Sequence, residues 1–63
     1  MYPDIPTPQQ TREFFFVCVR LSNLLLPINL VRLDERTNQI YILAGQNEEI
    51  EILIYPNGKI RLL

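Results

Sequence analysis

Sixty-three residues, with six basic and seven acidic side chains, one cysteine and no histidine, leave room for one small domain. The formal charge of −1 gives no basic field to draw in nucleic acid, the lone thiol excludes an internal disulfide, and one cysteine without histidine cannot assemble a tetrahedral nitrogen–sulfur zinc site within one chain. A chain this short buries only about 60% of the surface its unfolded form exposes, so good packing or a partner chain has to supply the rest of its stability.

The first residues, "MYPDIPTP", carry neither a basic n-region nor an apolar run, so they do not read as a secretory signal, and Pro3 and Pro6 point to an extended leader over residues 1–6. "TPQQ" reads as a helix start. Thr7 can accept from the backbone N–H of Gln10, Gln10 can reach back to Thr7, and Pro8 falls where its missing N–H costs nothing. The expected helix covers 7–26 and is stopped by Pro27.

This helix contains "EFFFVCVRLSNLLL", which is too short to span a bilayer and includes Arg20, Ser22 and Asn23. On a wheel of about 100° per residue, Phe14, Cys18, Leu21 and Leu25 centre one face, with Val17 and Leu24 on one shoulder and Phe15, Val19 and Leu26 on the other. The polar wedge of Arg12, Glu13, Arg20 and Asn23 is narrow and has Phe16 within it. The apolar arc is about twice the roughly 100° that a surface helix needs.

After Pro27 the period changes to 2, and "NLVRL", "QIYILA", "EIEILIY" and "KIRLL" read as strands within 28–63. In "YPNGK", a three-residue loop with Gly58 in the left-handed position pairs Ile54 with Ile60 and Ile52 with Leu62. In "DERTNQ", a turn with Asn38 left-handed pairs Asp34 with Gln39, Leu33 with Ile40 and Val31 with Ile42. Ala44 opposite Ile50 keeps the faces consistent. The apolar sheet face then holds Val31, Leu33, Ile40, Ile42, Ala44, Ile50, Ile52, Ile54, Ile60 and Leu62, and the helix is its cover. The expected fold is α+β, one N-terminal helix packed on a four-stranded antiparallel β-meander.

Two surfaces stand out. Phe15, Phe16, Val19 and Leu26 exceed what one sheet can hide, and a contiguous patch of this kind marks an interaction site. The bland alternative is that a few hydrophobes simply stay exposed, as on most surfaces. On the outer sheet face, Arg32, Tyr41, Leu53 and Arg61 form a row, Tyr55 faces Lys59, and Glu51 can pair diagonally with Arg61. Arginines beside aromatics on an open sheet also suit single-stranded RNA, so Arg32, Tyr41, Tyr55, Lys59 and Arg61 form a candidate nucleic-acid or partner face, against which the acidic balance counts.

No catalytic set is visible. Histidine is missing, Cys18 reads as a small core residue, and Glu48, Glu49 and Glu51 lack the spacing of a calcium loop. No enzyme, cofactor or metal is therefore expected. "INLVRLDERTNQIYILAG" and "EEIEILIYPNGK" resemble a family of short uncharacterised proteins found mainly in cyanobacterial genomes, over roughly residues 12–62. The resemblance implies a cytoplasmic protein and transfers no activity or site residues. A free thiol fits the same compartment. The expectation is a non-enzymatic interaction module, a homodimer or one half of a pair with another small protein, with nucleic-acid binding as the alternative.

Overall fold

The structure, a computed structural model, describes residues 5–63. The expected leader lies mostly outside these residues; Ile5–Thr7 take no regular secondary structure. Helix α1 spans Pro8–Asn23, and four strands follow: β1 Ile28–Asp34, β2 Gln39–Ala44, β3 Ile50–Ile54 and β4 Ile60–Leu62. All pairings are antiparallel and the sheet order is β1-β2-β3-β4. The α+β meander read from the sequence is the fold observed.

The registers follow from the turns. Leu33 opposes Ile40, Val31 opposes Ile42, Ala44 opposes Ile50, Ile54 opposes Ile60 and Ile52 opposes Leu62, each as the turn chemistry predicts. Asn38 takes a left-handed φ of 56°, and its N–H closes the β1–β2 turn on the Asp34 carbonyl at 2.6 Å. Gly58 takes φ 89° in the β3–β4 turn, where a side chain would also press on Cβ of Gln9 in the helix. A glycine is needed there for both reasons. Asn29 forms a bulge in β1, and its amide donates to the Gly45 carbonyl at 2.8 Å.

The helix start is the predicted capping box: Thr7 accepts from the N–H of Gln10 while Gln10 Oε1 accepts from the N–H of Thr7. The Thr7 hydroxyl donates to the Pro56 carbonyl. Gln10 is fully buried, and its Nε2 donates to the carbonyls of Asn38 at 2.7 Å and Ile54 at 2.9 Å. One side chain thus caps the helix and ties it to both turns at that end of the sheet.

The helix end departs from expectation. It stops at Asn23, three residues before Leu26, because Pro27 disfavours helical geometry at Leu26 and the chain closes with a Schellman motif instead. The N–H of Leu26 donates to the Leu21 carbonyl and that of Leu25 to the Ser22 carbonyl, both at 2.9 Å. Leu25 adopts a left-handed φ of 59° and is 86% exposed, so it does not take the core position the wheel assigned to it.

The core is Val17 and Leu21 from the helix with Ile40, Ile42, Ala44, Ile52 and Ile54 from the two central strands. Phe14, Leu26, Leu33 and Ile50 pack around it, half-buried. Four strands at about 4.8 Å spacing set the outer axes about 14 Å apart, wider than one helix of about 10 Å. The helix therefore covers β2 and β3 and leaves the inner faces of the edge strands open. Val31 and Ile60 are partly exposed and Leu62 is 71% exposed, which corrects the expectation that the helix hides the whole apolar face.

Candidate functional site

Gln10, Phe14, Val17 and Leu21 form the stripe that faces the sheet. This stripe lies about 40° around the wheel from the one centred on Phe14, Cys18, Leu21 and Leu25. The cause is Gln10: its amide needs the two carbonyls at the sheet end, and an amide buried without partners costs about 1–3 kcal/mol. Hydrophobic weight alone points elsewhere. Cys18 ends up half-buried on the flank, where burial pushes its thiol pKa up, away from the activated thiolate a nucleophile needs.

The same rotation turns Phe15 and Val19 outward, to join Phe16, which the wheel already placed on the polar side. Phe15 is 62% exposed and Phe16 49% exposed, with their rings edge to face at a centroid distance of 5.7 Å. Val19 lies beside them, also exposed. Arg12 and Asn23 complete this outer face, and both are exposed. Leu26 behaves differently from the other three expected anchors, being half-buried against the core.

An apolar cleft runs along each side of the helix. One, of about 280 Å³, lies towards β1 between Phe14, Val31, Leu33 and Ile40, with Pro6 and Thr11 at its mouth. The other, of about 330 Å³, lies towards β4 between Leu21, Leu24, Leu26, Ile50, Ile60 and Leu62, with Arg20 on its rim. Each is the uncovered strip of an edge strand. Leu24 and Leu25, which are solvent-facing and absent from the expected anchors, extend the apolar surface at the helix end. Their signal in the sequence was Pro27, which ends the helix early enough to throw them out.

The outer sheet face brings Arg32, Tyr41, Leu53 and Arg61 into the predicted row across all four strands. Tyr55 and Lys59 meet at the turn, where the Tyr55 N–H donates to the Lys59 carbonyl. The Glu51–Arg61 pair is replaced by two others. The Tyr41 hydroxyl donates to Glu51 at 3.1 Å, and Arg61 donates to the Tyr55 hydroxyl at 3.5 Å. Tyr41 and Arg61 both lie diagonal to Glu51, and the shorter, stiffer phenol takes the carboxylate. Partial desolvation, then the hydrogen bond to Glu51, raises the Tyr41 pKa. The hydrogen bond to Tyr55 raises that of Arg61. A carboxylate thus stands beside the Arg32–Tyr41–Leu53–Arg61 row and is already hydrogen-bonded to one of its aromatics.

Among the described residues, no three His, Cys, Asp or Glu side chains gather as metal ligands would, and no helix is long and apolar enough to cross a membrane. Compared with known families, the chain matches the model of a domain of unknown function, DUF6888, over residues 5–61. No curated protein and no solved structure matches it.

Proposed function

Because the chain belongs to the DUF6888 family, whose function is unknown, its role has to be argued from its own surface, and we propose that it is a non-enzymatic protein–protein interaction module. It associates with a second copy or another small protein through Phe15, Phe16 and Val19, with Leu26 at the wall of the adjoining cleft. The observation that carries this reading is the outward Phe15–Phe16 pair on helix α1. Two exposed phenylalanines side by side contribute nothing to the subunit's own core, and buried aromatics are the usual anchors of an interface.

The alternative, a nucleic-acid surface of Arg32, Tyr41, Tyr55, Lys59 and Arg61, has less support, since Glu51 sits among these residues and binds Tyr41. An unpaired Cys18 favours a reducing, cytoplasmic location, and the resemblance noted above favours a cyanobacterial source.

Phe16→Glu tests the reading. Phe16 is half exposed and outside the core, so the fold should persist while association weakens at least about tenfold, read by light scattering and circular dichroism. A wild type that stays monomeric at every concentration and captures no protein partner defeats the proposal.

A further inference from the structure

We infer that the partner is a second copy of this chain, docked helix against helix in antiparallel fashion about a two-fold axis beside Phe16 and Val19. The inference rests on the interaction reading above and adds the occupant and its orientation.

The outer face of α1 has a heptad pattern. Arg12, Phe16, Val19 and Asn23 follow one another at spacings of four, three and four residues, and all four are exposed. Glu13 and Arg20 lie seven residues apart, on the flank of this seam nearer β4. Phe15 and Ser22, also seven apart, form the opposite flank. Among the described residues, neither Glu13 nor Arg20 has an ion-pair partner within the subunit.

Flank charges set the orientation of paired helices. A parallel pair would place Glu13 and Arg20 against Phe15 and Ser22 of the other copy and leave both charges unanswered. An antiparallel pair brings like flanks together. Glu13 then meets Arg20 of the other copy, and the two-fold axis repeats the pair with the roles exchanged. The seam agrees: Phe16 layers on the second copy's Val19, Arg12 on its Asn23, and each layer is repeated by symmetry. One register satisfies the apolar layers, the polar layers and both ion pairs. The helix is about 24 Å long, so this is a small interface, and a dimer that exchanges at micromolar concentrations is expected.

Charge exchange tests this in the full chain by sedimentation equilibrium. Glu13→Arg alone and Arg20→Glu alone each set like charges together twice, and each should weaken the dimer about tenfold. An equimolar mixture of the two variants should form a heterodimer, and the double variant should regain the wild-type constant. Glu13 is half-buried near the Gly58 turn, so circular dichroism controls for folding. A second measurement does not depend on that substitution. Spin labels on Asn23→Cys in a Cys18→Ser background should stand farther than about 15 Å apart in the antiparallel dimer, and close to 10 Å in a parallel one.

Single variants as tight as wild type, a mixture that fails to pair, or a short label distance overturns the antiparallel arrangement. The interaction reading then survives if Phe16→Glu still disperses the assembly. A monomeric wild type overturns the second copy outright, and the interaction reading then stands or falls on capture of a different protein.

Discussion

Leu25 holds a left-handed φ of 59° at the position after the helix where glycine is the usual occupant. It is also 86% exposed, so the subunit gains little packing from its side chain. Leu25→Gly should therefore raise monomer stability by about 0.5–1 kcal/mol, which is about 2–8 °C in Tm for a domain of this size. Thermal melting of a dilute sample checks this, and a lower Tm would mean that Leu25 packs where the structure leaves it open. Gln10 is the opposite case. It is fully buried, and its side chain makes three hydrogen bonds, to the Thr7 N–H and to the carbonyls of Asn38 and Ile54. Gln10→Leu strands those carbonyls and should lower the unfolding free energy by about 2–4 kcal/mol in urea titrations. A loss below about 1 kcal/mol would show that the amide does not fix the helix. That role was only half legible in the sequence. The capping box announced the bond to Thr7, but nothing in the local pattern marks a glutamine as the most buried polar side chain of the fold.

The four strands were readable because turn residues set their register. Gly58 and Asn38 each allow one left-handed step, and each places every side chain of two strands on the observed face. The helix was readable in existence and start, but not in end or rotation. Its end was misplaced because a Schellman motif can close without glycine when a proline follows. Its rotation was misplaced because apolar weight favours Cys18 and Leu25, whereas the hydrogen bonds of Gln10 favour Val17; Leu21 is buried as expected. Of the expected anchors, Phe15, Phe16 and Val19 lie together on the outer face, whereas the Schellman turn after Asn23 folds Leu26 back towards the core. These elements differ in how firmly they are held. Amides of β2 and β3, with Ile42 and Ile54 fully buried beneath the helix, should exchange slowest with deuterium. The three residues of β4, at the sheet edge with every position exposed, should exchange fastest among the strands. Equal protection across all four strands would contradict a core confined to the central pair.

For the whole molecule, the decisive feature is a mismatch of widths. One helix roofs two strands of a four-stranded sheet, so apolar surface is left along both edges, and the helix itself carries two phenylalanines on its outer side. A small domain with a core of seven buried apolar residues among those described has little stability in reserve, and under the proposed association the outer surface would be buried against another chain and add to it. On the proposed reading, the exposed aromatics belong to the interface of the working form. Sedimentation equilibrium of the wild-type chain across the micromolar range tests this most directly. The mass should rise with concentration from one chain to two, and a Phe16→Glu variant should remain at one. A wild type that keeps the mass of a single chain throughout, with Phe16→Glu indistinguishable from it, would mean that the outer face of the helix does not pair two copies.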